Sequence, residues 1–537
     1  MKRTKFVLTI ILVFSATCSF AQSDNTVPYV VVGTGVTACY NNTTTITCPA
    51  SSNEPFYGQF PGNVLPSYQS NSNMTVTDLN TGLMWQRSPD QNGNNNGFIE
   101  KADKLTWAQI QARVAALNSS NWGGYNDWRI PSMKELYSLT YWNGTDPSGY
   151  QGSDTSLLTP FLYDDYFQFA YGQLSEGERL IDVQYASNNL YNELSWQGTQ
   201  MLFGMNFADG RIKGYDLVLM GSDKTFSFIA VRGNTSYGIN NFTDNGDSTI
   251  TDNASGLMWS KNDSRVGMNW QDALAWVQQK NAENYCGYND WRLPNAKELQ
   301  SIVDYSRSPG STNSAAIDSV FNCTSITNEA GGLDWPWFWT STTHRSFNGT
   351  AYGGAWAVYV CFGRAGAWLQ EPGHSYYSYV DIHGAGAQRS SPKSGTFYGE
   401  YLGLDSNGHP VYGHGPQGDI IRINNFVRLV RGGSPIGINN SGSEVPSSFT
   451  LEQNYPNPFN PSTKIKYSLP QSMKVSLKVY DVLGKEISTL VSRYQNAGSY
   501  TVELNGSGLS SGLYLYKIDA EGNSSHFSAV RKMVLIK

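Results

Sequence analysis

Asn92, Asn94 and Asn96, followed by Gly97, Glu100 and Asp103, set oxygen-bearing side chains at alternate positions around a glycine. Hard cations such as Ca2+ take such oxygens, and the glycine permits the sharp turn that lets them converge. Only Glu100 and Asp103 carry charge, so the pattern reads either as a weak calcium site or as an Asn-Gly-rich surface turn. A second chemistry is aromatic. Trp335, Trp337, Trp339, Trp368, Tyr376 and Tyr377 crowd into 43 residues. Flat ring faces stack on the apolar side of sugar rings, and nearby Asn and Gln hydrogen-bond hydroxyls. These six are the expected ligand-binding residues, set against the reading that several are core residues of a Trp-rich fold.

Other constellations carry less. His409 and His414 flank a turn, but no Cys or carboxylate stands at zinc-ligand spacing, which favours a polar loop. Asp127-Trp128-Arg129 and Asp290-Trp291-Arg292 suit a structural pair over a core tryptophan better than catalysis. There is no Gly-x-Ser-x-Gly elbow, phosphate loop or His-Glu-x-x-His. No catalytic residue is therefore assigned, and the chain reads as non-enzymatic. Cys39 and Cys48 enclose a short loop suited to a hairpin disulfide, and Cys286 with Cys323 is the second expected pair. Cys361, inside an apolar run, reads as a packed free thiol.

The elements that would position these residues come in two copies. Thr75-Val-Thr-Asp-Leu-Asn-Thr-Gly-Leu-Met-Trp85 recurs as Thr249-Ile-Thr-Asp-Asn-Ala-Ser-Gly-Leu-Met-Trp259. Gly124-Tyr-Asn-Asp-Trp-Arg-Ile-Pro131 recurs as Gly287-Tyr-Asn-Asp-Trp-Arg-Leu-Pro294, and each copy closes on a similar strand, Phe228-Ile-Ala-Val-Arg-Gly233 and Val427-Arg-Leu-Val-Arg-Gly432. The first copy carries an insertion in the Asn-rich stretch Asp90 to Asp103, while the second holds roughly 36 extra residues. Such long copies read as two whole domains, 22–236 (with the Cys39/Cys48 hairpin) and 237–433. Thr106 and Asn269 cap helices beginning at Trp107 and Trp270. Ser132 with Glu135, and Asn295 with Glu298, repeat a capping geometry directly after a proline. The rest reads as short strands and Gly-rich loops, giving each copy an α+β character.

Lys2, Arg3 and Lys5, the apolar run 6–14 and small residues before Ala21 predict a secretory signal peptide over 1–21. Residues 434–448 read as a Ser/Gly/Pro linker. Residues 449–537 alternate apolar and polar positions in six or seven short runs, which predicts an all-β sandwich. Composition agrees with export. Only 15% of residues are charged, Trp numbers 15 and Tyr 33. Residues 22–443 hold 24 Lys and Arg against 36 Asp and Glu, which disfavours a nucleic-acid partner. No run reaches transmembrane length.

The repeated motifs, with Asn206-Phe-Ala-Asp-Gly-Arg-Ile-Lys-Gly-Tyr215, resemble the Lcl C-terminal domain family, named for part of a bacterial collagen-like adhesin. The resemblance implies two tandem C-type-lectin-like domains and, through the namesake, binding of sulfated glycosaminoglycans or host surfaces. Sulfated ligands would require Arg345, Arg364, Arg389, Lys393 and Arg422 to gather, or a bridging calcium, in so acidic a body. Tyr455-Pro-Asn-Pro-Phe-Asn-Pro461, Val479-Tyr-Asp-Val-Leu-Gly-Lys485 and Lys532-Met-Val-Leu-Ile-Lys537 resemble a type A sorting domain of the type IX secretion system. That implies the secretion machinery as a partner and the outer surface of a Gram-negative bacterium, or the medium, as the destination. The combined expectation is an adhesin-like protein recognising glycans or another surface. The alternatives are a matrix protein making protein contacts and a secreted polysaccharide-acting enzyme.

Overall fold

The computed structural model describes residues 27–36, 38–59, 66–347, 352–432, 448–470, 473–495, 498–506, 509–522 and 526–537. The expected signal peptide and residues 434–447 of the linker lie outside them. The chain is mostly strand, with short helices where the capping residues stand. Helix α1 spans Trp107–Ser119 behind Thr106, and α2 spans Met133–Ser138 behind Ser132. Helices α3 (Trp270–Ala282) and α4 (Ala296–Ser301) repeat them behind Asn269 and Asn295. Each N-cap oxygen accepts a backbone N–H of the first turn, which fixes the helix start.

Each copy opens with a small antiparallel sheet. Thr75–Asp78 and Leu83–Gln86 pair with each other, and the closing strand Val231–Gly233 returns to pair with the second. Thr249–Asp252, Leu257–Ser260 and Val430–Gly432 do the same, with Val231 opposite Trp85 and Val430 opposite Trp259. Arg129 and Arg292 each bridge to the closing strand, at Val231 and Val430. The repeated sequence motifs therefore knit each copy's two ends together.

The copies are not separate bodies. Strands β1 (Gln184–Leu194), β2 (Gln200–Asn206) and β3 (Arg211–Asp216) come from the first. Strands β4 (Trp337–Phe347), β5 (Tyr352–Cys361) and β6 (Gln388–Pro392) come from the second. Together they form one six-stranded sheet in the order β4-β5-β6-β3-β2-β1. The join is antiparallel at Ile212–Gln388, and Gly214 N–H donates to His383 O at 2.8 Å. Two half-sheets meeting antiparallel give the body a pseudo-twofold axis at this seam. Pairing there removes the edge that each half-sheet would otherwise expose.

Both faces of the sheet are covered, and the period of two sorts the side chains. Met201, Phe203, Met205, Phe338, Val358 and Val360 join Leu136 of α2 and Leu299 of α4 in one core that crosses the seam. On the other face Trp337, Trp339, Tyr359 and Cys361 lie against Trp270 and Leu274 of α3. Leu202 and Ala186 meet Ile110 and Leu117 of α1 in the equivalent place. The seam is also polar. His344 accepts from Ser390 Oγ (2.7 Å) at Nδ1 and donates to Asp209 O (2.9 Å) from Nε2, in the other copy.

The N-terminal hairpin carries the expected Cys39–Cys48 disulfide, with Cα atoms 5.0 Å apart. Contrary to its assignment with the first domain, it docks on the second copy. Lys393 Nζ donates to Asn41 O, and Asn42 bonds Gln271. The buried Lys393 amine also donates to Thr343 Oγ1 at 2.8 Å within the second copy, so the hairpin carbonyl adds a second acceptor to it. The expected Cys286–Cys323 disulfide does not form, and both are free thiols. Cys286 packs against the α3 core and Cys323 against the seam core, beneath Arg428, so their side chains serve different layers. Burial pushes the Cys323 thiol up to about 12. Cys361 is a buried free thiol, as its apolar run implies.

Residues 450–535 form the expected sandwich. One sheet pairs Thr450–Leu451, Ser462–Leu469 and Gly498–Asn505. The other runs Glu486–Gln495, Met473–Tyr480, Gly512–Glu521 and His526–Leu535. Ile465, Val475, Leu477, Tyr516, Ile518 and Met533 fill the space between.

Candidate functional site

The extra residues of the second copy build a cleft of about 420 Å3. Two hairpins frame it: Gly366–Gln370 with Tyr377–Asp381, and Glu400–Leu404 with Pro410–Gly413. They stack closely because glycine stands at the contacts. A Cβ on Gly403 would fall 2.8 Å from the Tyr377 ring, and one on Gly418 would fall 2.2 Å from Trp368 O. Trp368, Tyr398, Tyr412, Pro410, Ile421 and Ile423 line the cleft with Glu329, Asp405, His409, Arg422 and Asn424. Tyr398 and Tyr412 are about half exposed, and Tyr401 stands beside Tyr412 at 5.8 Å between ring centres.

The polar side of the cleft is preorganised. Arg422 donates from Nε and Nη2 to the two oxygens of Glu329, both at 2.7 Å, and its guanidinium lies 4.1 Å over the Trp337 ring. Burial alone would raise the Glu329 carboxyl, but the Arg422 hydrogen bonds and charge outweigh it and hold it below its usual range. The Nη1 group of Arg422 is buried without a hydrogen-bond partner. Asp405 accepts the Asn407 and His409 backbone N–H groups at 2.8 Å, which lowers its carboxyl and holds the loop beside His409. Apolar rings next to fixed donors and acceptors can hold a ligand with one apolar face and several hydroxyls.

Of the six aromatics expected to bind ligand, Trp368 alone lines this cleft. Trp337 and Trp339 are corrections. They alternate on one face of β4 under α3, are 1% and 0% exposed, and donate from their indole nitrogens to Arg364 O and Met268 O. Trp335 is half-buried beside them. Tyr376 stacks on His374 at 4.8 Å, and Tyr377 supports Gly403 from beneath. Tyr398 and Tyr412 were missed. Their signal is an aromatic on each side of a Gly-rich turn in residues that only the second copy has.

The Asn-rich loop of the first copy does not fit a hard cation. Asn92 Oδ1 accepts from Arg113 Nε at 3.1 Å, which points a cation at the first ligand position. Glu100 accepts from the Asn94 and Asn96 amides at 3.0 and 3.1 Å, and Asp103 from the Asn94 and Glu100 backbone. The oxygens are already committed to closing the turn. Nor do the five basic residues gather. Arg389 pairs with Asp419, Arg422 with Glu329 and Arg364 with Asp334, while Lys393 is buried and Arg345 donates to Asn143 O. His409 and His414 face different carboxylates, Asp405 and Glu400.

The Asp-Trp-Arg motif is scaffold in both copies. Its aspartate does not pair with its own arginine. Asp127 holds Arg232, and Asp290 holds Arg431, on each closing strand. Those arginines stack on Tyr125 and Tyr288 at 3.7 and 3.9 Å. The motif arginines reach the buried capping glutamates instead, Arg129 to Glu135 and Arg292 to Glu298.

A two-copy β-rich body followed by a C-terminal sandwich defines a repeat protein. The chain belongs to the Lcl C-terminal domain family, whose model matches residues 74–232 and 248–380. A secretion system C-terminal sorting domain matches residues 453–535, which indicates export by the type IX system and fits a secreted or cell-surface location. Among the described residues no helix is long and apolar enough to cross a membrane. No curated protein matches the chain. One solved structure that does is PorZ, an essential bacterial surface component of the type-IX secretion system of Porphyromonas gingivalis. It is 12% identical with a TM-score of 0.14, and the alignment covers 74% of this chain and half of that one. A score so low establishes no common fold.

Proposed function

We propose that this is a non-enzymatic surface or secreted binding protein that recognises a glycan in the cleft of its second copy. The observation that supports it is the convergence of Trp368, Tyr398 and Tyr412 with Arg422, Glu329 and Asn424 in one pocket. Tyr398 and Tyr412, about half exposed, offer faces for the C–H side of a sugar over the buried Trp368, and the polar groups offer hydroxyl partners of both signs. The resemblance of the family to C-type-lectin-like folds agrees with this reading. The scattered, paired cations weigh against a sulfated ligand and favour a neutral one. A glycan array probed with the full chain tests the proposal. Binding to a defined sugar class, weakened at least tenfold by Tyr412→Ala and Tyr398→Ala with the fold intact, is the expected result. A single lost stacking contact of about 1.4 kcal/mol is enough for that factor. Absence of binding by the folded wild type overturns it.

A matrix role through protein contacts has one observation of its own. Two neighbouring hairpin tips leave Leu194, Trp196, Leu219 and Met220 exposed, Met220 at 92%. Concentration-dependent self-association without a sugar signal, abolished by Met220→Asp, is the outcome that favours it.

A further inference from the structure

We infer that Lys134 and Asn240 join in an intramolecular isopeptide bond that ties the first copy covalently to the second. Lys134 lies on α2, and Asn240 lies in the segment that leads into the second copy. Lys134 Nζ donates to Asn240 Oδ1 at 2.6 Å and to Gly238 O at 3.1 Å. The stem is held in place: a Cβ on Gly238 would meet Lys134 Cβ and Cδ at 2.9 and 3.0 Å. On its other side the Asn240 carboxamide is fixed by a carboxylate. Asn240 Nδ2 donates to Asp252 Oδ2 at 2.9 Å and to Tyr29 Oη at 3.1 Å. Asp252 is fully buried, and Ser255 Oγ and the backbone N–H groups of Asn241 and Ala254 orient it. An amine, an electrophilic carboxamide and a buried carboxylate thus stand in hydrogen-bonded sequence.

Burial lowers the Lys134 amine to about 8, against the opposing pull of Asp252 and Asp304. Roughly a tenth is then the neutral nucleophile at neutral pH. Its lone pair adds to Cγ of Asn240. The Nζ proton passes to Oδ1, the atom it already contacts, and is returned to Nδ2, which Asp252 Oδ2 holds in place, as the Cγ–Nδ2 bond breaks and ammonia leaves. Amine and carboxamide become a secondary amide and ammonia, with no oxidant or co-reactant. Ammonia has an exit, because Lys134 and Asn240 both line an open cleft of about 780 Å3 between the copies.

The second copy supplies an internal control. Lys297 occupies the same motif position on α4, but its Nζ donates to two peptide carbonyls, Ser138 O at 2.7 Å and Gly33 O at 3.0 Å. It has no side-chain carboxamide to attack.

The test is peptide mapping of the folded full chain after incubation at neutral pH. The expected product is a branched peptide joining the Lys134 and Asn240 segments, lighter than its two parts by one ammonia. It is absent from Lys134→Met and Asn240→Ala, and it forms at least tenfold more slowly in Asp252→Asn. Succinimide closure at Asn-Gly steps also loses ammonia but yields no branch, so the branch is the readout. An unlinked Lys134 peptide from wild type with native tryptophan fluorescence overturns the proposal, whether or not the variants fold.

Discussion

The Gly-Tyr-Asn-Asp-Trp-Arg motif places two ion pairs of very different burial within three residues, and their removal separates burial from charge. Glu298 is 3% exposed at its side chain and Arg292 is 17% exposed. Both carboxylate oxygens are used, at 2.5 and 2.6 Å, and one also accepts the Asn295 N–H at 2.9 Å to close the cap of α4. Glu298→Ala strands a largely buried guanidinium, a loss of about 3–5 kcal/mol, and opens the cap for about 1 more. Two residues before Arg292, Asp290 is 56% exposed and its partner Arg431 keeps its stacking on Tyr288. Asp290→Ala therefore costs only about 0–1 kcal/mol. Urea unfolding followed by tryptophan fluorescence is the assay. All 15 tryptophans lie between Trp85 and Trp368, so the signal reports the two-copy body and not the C-terminal sandwich. Glu298→Gln keeps a side-chain acceptor for the cap and falls between the two. Equal midpoint shifts for Glu298→Ala and Asp290→Ala would refute the reasoning, since burial would then not decide the outcome.

Two further outcomes follow from the same geometry. Burial, with Arg211 and Arg389 respectively as the next cause, lowers His344 to about 4 and His383 to about 3. Below the unfolded value of 6.5 the unfolded chain takes up protons that the folded chain refuses, so stability falls as pH drops from about 6.5 towards 4. The slope approaches about 1.4 kcal/mol per pH unit for each histidine, and urea midpoints of His344→Gln lose one such share. Alkylation of the denatured, unreduced chain labels Cys286, Cys323 and Cys361 but neither Cys39 nor Cys48, and mass spectrometry that finds Cys286 and Cys323 unlabelled contradicts the structure.

What could be read from the chain was whatever acts locally. The N-caps of the four α-helices among the described residues follow from a Thr, Ser or Asn set before an apolar period, since capping needs only the next three residues. The seven strands of the C-terminal sandwich follow from alternation that fills one core. The seam was not readable. β3 and β6 both show strand character, but nothing within either says that its partner lies in the other copy. The crossing of the Cys39–Cys48 hairpin to the second copy has the same cause. Trp337 and Trp339 were misjudged by counting rings instead of sides. Their spacing of two, with Phe338 between them facing the opposite core, marks a strand buried on both faces. Cys286 and Cys323 were expected to pair, but their positions in the sequence hold no information about which core each thiol faces.

The pseudo-twofold axis also says where binding should be sought. The tryptophans, asparagines and ion pairs that both copies share are occupied in the same structural work. Trp128 and Trp291 donate from their indole nitrogens to the carbonyls of Trp122 and Tyr285. Asn118 and Asn281 clamp the backbones of those tryptophans in identical two-bond fashion. The Arg–Glu and Asp–Arg pairs repeat as well. These residues are the most recognisable in the sequence and the least free to touch a ligand. Selection for a ligand has room to act only where the copies differ, because a change there leaves the shared sheet and caps intact. The Asn92–Asp103 loop differs but spends its oxygens on its own amides and on Arg113. The hairpins over the buried Trp368 differ and leave the Tyr398 and Tyr412 rings at the surface, so the ligand is expected at the cleft of the second copy rather than at the motifs that define the family.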